Sequence, residues 1–394
     1  MHTVRVNRKA AERVWSGHPW IFSSDVVDRA DAQPGDAVRV ITEGRGGPPG
    51  RNALGTAHYS SSSQITLRML SREAAAIDAP FFRERVQAAI SHRARIVENS
   101  DACRLVFSEA DLLPGLIVDR YGSYLVMQTL TQGMDLAQDT IVEILRELLT
   151  PSGILARNDA TVRRLEDLPQ KVVTLAGDIP DHVDITLNGL KLSVDLLKGQ
   201  KTGIYLDQRE NYLAVQHWAS TLKTQRVLDC FTSTGGFALH AARHAASVEA
   251  IDSSAAALAT AEANARANNI TNIQFREADV FDFLSGAANR HYDMVILDPP
   301  AFAKSRKDLD AAARGYKDIN LRALRMLERG GILVTCSCSH HMSEGLMYES
   351  VAQAALNAGK TLRVLERRTQ AADHPILLTV PETLYLKCLI LQVV

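Results

Sequence analysis

Apolar positions change their spacing along the chain, and the changes mark out three regions. In residues 1–72 they come as short runs between turn residues. Segments 37–41 (AVRVI), 54–57 (LGTA) and 65–69 (ITLRM) predict short strands. The stretch 44–50, GRGGPPG, holds too much glycine and proline for a helix and predicts a loop. At 80–99 the apolar residues fall near helical spacing behind Pro80, which predicts a helix. Segments 116–119 and 125–129 flank Tyr121-Gly122-Ser123, the pattern of a β-hairpin. An amphipathic helix follows at 135–149, stopped by Pro151, and then strand candidates at 154–158 and 185–194. From about residue 191 short apolar strands alternate with helices. Strands are predicted at 226–230, 248–251, 273–276, 294–297 and 332–335, and helices from Phe237, at 254–268 and at 318–327. Such alternation builds a parallel sheet with helices on both faces. The expected organisation is a compact β-rich module in 1–72, a central α+β domain in 73–190 and an α/β domain in 191–394.

Composition narrows this little. The 394 residues are 46% hydrophobic and 23% charged, as in globular proteins, and a chain of this length suits two or three domains. No apolar run approaches the roughly 18 residues of a membrane span, and the N-terminus has no signal-peptide core, so a cytoplasmic protein is expected. The five cysteines are odd in number and scattered, which predicts reduced thiols. Net charge is −1, yet residues 1–72 hold ten basic against six acidic residues, a net of +4. That fits phosphate binding, although an ordinary solvated surface accounts for it equally well.

The chemistry is expected at the carboxyl ends of the strands, where open α/β sheets bind ligands. The first strand runs into DCFTSTGGF, residues 229–237. Asp229, Phe231, Gly235 and Gly236 stand there, and glycines between strand and helix let backbone approach a ligand closely. The spacing is not GxGxxG, which weakens a nicotinamide or flavin reading. The second strand ends at Asp252, whose carboxylate can accept hydrogen bonds from a ribose diol, with Ser253 or Ser254 capping the next helix. The third ends near Asp279 and Val280, where a carboxylate can meet an adenine amino group and Val280 or Phe281 can lie against the ring. Each acid alone reads as a cap or turn residue. Three at successive strand ends describe a site for an adenosine-bearing ligand without a long phosphate chain. The fourth strand ends in DPPAF, residues 298–302, where Asp298 and Pro299 can face a flat heterocycle. These segments resemble the successive motifs of class I S-adenosylmethionine-dependent methyltransferases, with one residue inserted before the aromatic of the DPP motif.

The stretch 331–342, GILVTCSCSHHM, adds a thiol. Ring carbons of pyrimidines are poor nucleophiles. A thiolate added at C6 makes C5 able to take a methyl group, so a cysteine beside a methyl donor is the residue type this reaction needs. Cys338, in the loop beyond the strand, is favoured as nucleophile, with Cys336 as an apolar filler at the strand end. Asp298 would bind the N3 and exocyclic edge of the base. A zinc site from Cys336, Cys338, His340 and His341 is disfavoured, because the ligands crowd into six residues without a second pair. No metal is expected. His340 and His341 read as loop residues, and the acceptor of the C5 proton stays open.

Longer segments extend the resemblance over almost the whole chain. SGHPWIFSSDV (16–26) is similar to the opening of the PUA domain of the bacterial 23S rRNA 5-methylcytosine methyltransferases. SEADLLPGLIVDR (108–120), KGQKTGIYLDQREN (198–211), RGYKDIN (314–320) and QAADHPILLTVPETLYLK (370–387) are similar to later segments of the same family. The resemblance implies a PUA domain for RNA, a central α+β domain and a class I (Rossmann-like) catalytic domain using S-adenosyl-L-methionine. Family members carry one cysteine in an SCS loop, at the position of Cys338; His340 and His341 replace small or apolar residues. By position, 201–211 would cover the methionine end of the donor, through Tyr205 and Gln208. Lys201 and Arg209 would contact phosphate or cap a helix, and Tyr316 and Lys317 would line the RNA entrance, with packing an equal alternative for Tyr316.

The expected activity is therefore S-adenosylmethionine-dependent methylation of C5 of a cytosine in large-subunit ribosomal RNA, on a base flipped into the pocket. A 5-methyluridine enzyme, an amino-group methyltransferase and a non-catalytic PUA-type RNA-binding protein are the alternatives. The apolar C-terminus, LILQVV, is either an added strand or a contact surface, which leaves a homodimer open.

Overall fold

The computed structural model describes residues 1–42, 52–199, 202–286, 290–302, 306–339 and 341–394. The predicted loop at 44–50 lies outside the described residues. The chain divides into two compact units. The first comprises Met1–Thr186, Val194–Gly203 and Ala372–Thr383, the second Leu187–Ser193, Ile204–Ala371 and Leu384–Val394.

The first unit opens with β1 (Thr3–Val6), α1 (Arg8–Trp15), β2 (Trp20–Phe22), β3 (Val26–Asp28), β4 (Ala37–Thr42), β5 (Ala53–Tyr59) and β6 (Ile65–Ser71). The strands form one sheet in the order β2-β6-β5-β4-β1-β3. Strands β4 to β6 cover the three predicted segments. Helix α1 starts where the Asn7 side chain accepts the Ala10 N–H at 3.0 Å, and it buries Ala10, Ala11 and Val14 at helical spacing. Then come α2 (Ala79–Ile96), capped by Asp78, β7 (Ala102–Phe107), β8 (Leu116–Tyr121), β9 (Tyr124–Thr129), α3 (Gln132–Leu136), α4 (Gln138–Leu149), β10 (Gly153–Asn158) and β11 (Lys171–Gly177). Their sheet runs β11-β10-β9-β8-β7. The helix predicted at 135–149 is two helices, α3 and α4, meeting at Ala137.

The SEADLLPGLIVDR segment works in this unit as a source of acids that pair with arginine, one of them fully buried. Asp111 receives the Arg93 guanidinium through two bonds of 2.5 and 2.7 Å. Asp119, fully buried, receives Arg104 at 2.8 and 2.9 Å and the Thr202 hydroxyl at 2.6 Å. Bidentate pairing of this kind is what makes a buried carboxylate tolerable.

The strand predicted at 185–194 is two strands, β12 (Val183–Leu187) and β13 (Leu190–Val194). Between them the chain reverses at Asn188 and Gly189, with φ of 53° and 77°, the left-handed pair that an Asn-Gly turn adopts.

The second unit holds α5 (Arg209–Thr221), β14 (Arg226–Cys230), α6 (Gly236–Ala242), β15 (Ser247–Asp252), α7 (Ala255–Ala267), β16 (Ile273–Glu277), α8 (Val280–Gly286), β17 (Tyr292–Leu297), α9 (Leu309–Arg325), β18 (Leu327–Ser337), α10 (Glu344–Asn357), β19 (Leu362–Arg368) and β20 (Lys387–Val393). The sheet order is β16-β15-β14-β17-β18-β20-β19. Strands β16 to β18 are mutually parallel, as predicted. The all-parallel expectation fails at the far edge, where β20 lies antiparallel to both β18 and β19. The C-terminal LILQVV is thus an internal strand of the sheet. Helix α9 begins nine residues before its predicted start. Gly315 lies inside it, and a Cβ there would come within 3.3 Å of the Phe302 ring, so close packing offsets the helix-weakening glycine. Among the described residues, no helix is long and apolar enough to cross a membrane.

Candidate active site

The register of the sheet sets the height of the site. Cys230 of β14 pairs with Leu297 of β17, and Leu297 pairs with Thr335 of β18. Asp298 is the first residue past that line and Cys338 the third. Strand order reverses at β14, between β15 and β17, so the crevice opens beyond the ends of these strands.

The turn after β14 is tightly wound. Phe231, Ser233 and Gly235 all have left-handed backbone, with φ of 63°, 50° and 89°. Two of these are not glycine, and such conformations cost of order 1–3 kcal/mol each and cluster at ligand-binding sites. The Thr232 N–H reaches the Ile251 carbonyl at 3.0 Å, and the Gly235 N–H that of Thr232 at 2.9 Å. Gly236 is required on steric grounds, since a Cβ would lie 2.4 Å from Cζ of Tyr212. Tyr212 stacks on His240, whose Nδ1 contacts the Gly236 carbonyl at 2.7 Å while Nε2 meets the Asn188 amide at 3.1 Å. Burial drives the His240 pKa down to about 4, so the ring is neutral and donates from Nδ1.

The three strand-end acids differ in environment. Asp229 is fully buried. Its Oδ2 accepts the Thr232 hydroxyl at 2.6 Å, and Oδ1 has no hydrogen-bond partner among the described residues. Burial, aided by the nearby charge of Asp298 and opposed by the Thr232 bond, pushes its pKa up to about 7. Asp252 accepts the backbone N–H of Ser233 on one oxygen and that of Ser254 on the other, both at 2.9 Å. Ser254 caps α7, and Ser253 is exposed beside it. Asp279 is exposed; its Oδ1 accepts the N–H groups of Phe281 and Asp282, and Val280 is buried behind it.

A chain of aromatic rings runs from this turn toward the DPP segment. Phe231 meets Phe281 edge-on at 6.3 Å, Phe281 meets Phe302 at 5.9 Å, and Phe302 meets Tyr316 at 4.7 Å. Asp298 is half-buried, its N–H 3.4 Å from the Cys230 carbonyl, and Pro299 is buried. Cys338 is half-buried, whereas the other four cysteines, all among the described residues, are buried. Asp298 and Cys338 both act electrostatically on the phenols of Tyr205 and Tyr316, which burial has already pushed up. The structure thus brings Tyr205, Asp298, Tyr316 and Cys338 together. Cys336 pairs in register with Cys388 on β20, and hydrogen bonding to that thiol, together with burial, raises its pKa well above the ordinary range.

Two expectations of RNA contact are corrected. Arg209 is 3% exposed with Nη2 at 3.2 Å from Glu210, and Tyr316 is fully buried with its hydroxyl 3.3 Å from Ser339 Oγ. Burial leaves neither side chain on the surface, and Tyr316 holds the loop that carries Cys338. Lys317 is half-buried on α9. Gln208 is buried and bonded by the Asn211 amide at 2.6 Å, beside the Cys336 thiol. Lys201 and His340 lie outside the described residues. Sequence reasoning missed Tyr212, which only the clash with Gly236 reveals, and Lys387, a charged residue at the start of an apolar strand.

A family model described as S-adenosylmethionine-dependent methyltransferase matches residues 136–391, and one described as a PUA-like domain matches residues 4–72. The ribosomal RNA large subunit methyltransferase I of Tolumonas auensis is 40% identical, covering 100% of this chain and 99% of that protein. The protein of the same name from Shewanella frigidimarina is 40% identical over 95% of each. Among solved structures, that of SMU.776 complexed with SAH matches over the whole of both chains with a TM-score of 0.85 at 21% identity. A SAM-dependent methyltransferase from Streptococcus mutans matches with a TM-score of 0.82, also at 21% and over the whole of both chains. At that identity the solved structures speak for the fold.

Proposed function

The chain belongs to the S-adenosylmethionine-dependent methyltransferases of the ribosomal RNA large subunit methyltransferase I family, and from that premise we propose that it methylates C5 of a cytosine in 23S ribosomal RNA through a covalent adduct with Cys338. The observation that carries the proposal is the half-exposed thiol of Cys338 beyond β18, sharing an electrostatic neighbourhood with Asp298 at the end of the adjacent strand.

The residues present fit the cofactor. Asp229 offers a buried, unpartnered carboxylate oxygen, which suits a cationic amino group. Asp252 and Asp279 suit the ribose hydroxyls and the adenine amino group, with Phe231, Ser253 and Val280 beside them, Gly235 and Gly236 giving close backbone approach, and Tyr205, Gln208 and Pro299 toward the reacting end. When bound, S-adenosylmethionine supplies an electrophilic methyl group.

The chain's own residues do the rest. The Cys338 thiolate forms a bond from Sγ to C6 of the base, and the C5–C6 π electrons shift toward C5 and the ring amidine. Asp298, as a carboxylic acid, donates a hydrogen bond to N3 and so takes up the charge that develops there. C5 takes the methyl group, a base removes the C5 proton, the double bond re-forms and Sγ leaves as thiolate. Residues 1–72, basic and matched by the PUA-like family, support phosphate contact, with 73–190 as the central domain and 191–394 as the catalytic domain. Lys201 and Lys317 are the proposed RNA-facing cations.

The test incubates wild type, Cys338→Ala and Cys336→Ala with labelled S-adenosylmethionine and large-subunit rRNA lacking its modifications, followed by nucleoside analysis. Label in 5-methylcytosine, lost only in Cys338→Ala, is expected. Methylation surviving in Cys338→Ala refutes the adduct, and label in 5-methyluridine refutes the base.

A further inference from the structure

One charged group beside the thiol loop has no role in the scheme so far. Lys387 opens β20 and lies opposite Ser337 of β18. It is 6% exposed. Its Nζ donates to the carbonyl oxygens of Ser339 at 2.8 Å and Tyr385 at 2.9 Å, its hydrogen-bond partners among the described residues. A buried ammonium needs an anion as well as dipoles. Two acidic groups lie within electrostatic reach of it, the Cys338 thiol first and Glu344 second. Glu344 is held at 2.7 Å by Arg367, which leaves the thiol.

We propose that the Lys387 ammonium is the counter-ion of the Cys338 thiolate, and that through the Ser339 carbonyl it also fixes the loop presenting that sulfur. The inference rests on the reading of Cys338 as nucleophile. Lys387 acts through Cys338 and is a positioning residue.

The other groups around the sulfur make a cation necessary. Asp298, beyond β17, is an acid and supplies no positive charge. The phenols of Tyr205, before α5, and Tyr316, on α9, are raised by burial and stay neutral, so they can donate hydrogen bonds but supply no charge. Glu344, on α10, is negative, and His341 is exposed on the following loop. Among the described residues, Lys387 is therefore a cation placed at this cluster from the strand across β18. Burial lowers its own pKa to about 8, opposed by Cys338, so it is charged at neutral pH and neutralises in mild alkali. Ionisation releases the thiol proton to solvent. The sulfur loses its charge when the bond to C6 forms and regains it on elimination, so the same ammonium favours the thiolate as leaving group.

The experiment follows alkylation of Cys338 by iodoacetamide against pH in the full chain, read from the mass of the Cys338 peptide. Wild type, Lys387→Met and Lys387→Arg are compared, with Cys338→Ser as blank. In wild type the thiol is expected to titrate below the ordinary value of about 8.5. Lys387→Met should raise the midpoint by about one unit, slowing alkylation at pH 7 about tenfold, and Lys387→Arg should restore most of it. A wild-type midpoint at or above the ordinary value, or an unmoved midpoint in Lys387→Met, overturns the proposal. If Lys387→Met does not fold, the wild-type midpoint alone decides. The readout is independent of methyl transfer. A low midpoint together with an active Cys338→Ala enzyme removes the nucleophile and leaves the ion pair standing; an ordinary midpoint with an inactive Cys338→Ala enzyme does the reverse.

Discussion

Replacing Asp229 by asparagine should stabilise the cofactor-free protein, and more so in alkali than in acid. The side chain is fully buried, one oxygen is unpartnered, and its pKa stands at about 7 instead of 3.8. A folded-state value above the unfolded one means that the contribution to stability is complete below about pH 4 and lost as pH rises through about 7. At about 1.4 kcal/mol per unit, the charged carboxylate costs roughly 4 kcal/mol once fully ionised, of which roughly 3 kcal/mol accrues above pH 5. Asparagine removes the charge and keeps an oxygen to accept the Thr232 hydroxyl. For a unit of about 200 residues, 3 kcal/mol corresponds to roughly 6–12 °C. Thermal unfolding of wild type and Asp229→Asn at pH 5 and 8.5, without cofactor, should therefore show a gain larger by about that amount at pH 8.5. The same variant should bind S-adenosylmethionine about 10- to 100-fold more weakly by calorimetry, the loss of one charge-assisted hydrogen bond. An equal melting shift at both pH values refutes the assignment of a strained, half-protonated acid. Unchanged cofactor affinity refutes its place in the site.

Gly236→Ala forces a Cβ to within 2.4 Å of the Tyr212 ring; the expected cost is about 1–3 kcal/mol, with weakened cofactor binding, measured by thermal unfolding and calorimetry. A variant as stable as wild type shows that the ring moves freely and is no part of the cradle. His240 is neutral in the fold, with its pKa lowered to about 4 from 6.5. Its contribution is present above pH 6.5 and lost as pH falls through about 4, roughly 3 kcal/mol in all. His240→Gln should flatten the acid limb of unfolding of the catalytic unit, and an unaltered limb counts against a buried neutral imidazole.

Much of the catalytic unit was legible because its parallel strands are short apolar runs closed by acids. Strand 226–230 is found as predicted, the next three begin and end within two residues of expectation, and the acids stand at their ends. What escaped falls into two kinds. Some signals were present but unused: Asn7 ahead of Ala10, Ala11 and Val14 marks α1, and Asn188-Gly189 is a hairpin turn within what was read as one strand. Others are not local. Periodicity gives neither strand direction nor strand order, so the antiparallel insertion of β20 between β18 and β19 could not be read from KCLILQV. At Arg209 and Tyr316 residue type left RNA contact open beside capping and packing, and burial gave both to the interior.

In the proposed mechanism the antiparallel strand also sets the two cysteines of the CSC stretch apart. Side chains alternate across β18 and β20, and the register sets Cys336 level with Cys388 and Ser337 level with Lys387. One thiol therefore meets another thiol in a buried environment, where that hydrogen bond and burial keep it protonated. Two residues on, past the end of the strand, the next thiol enters the field of a buried ammonium. A slip of one residue between the strands would exchange the faces and bring the ammonium to the side of Cys336. The proposed chemical difference between two cysteines two positions apart is thus a property of strand pairing across fifty residues of sequence, and neither the CSC spacing nor the apolar run before it contains it.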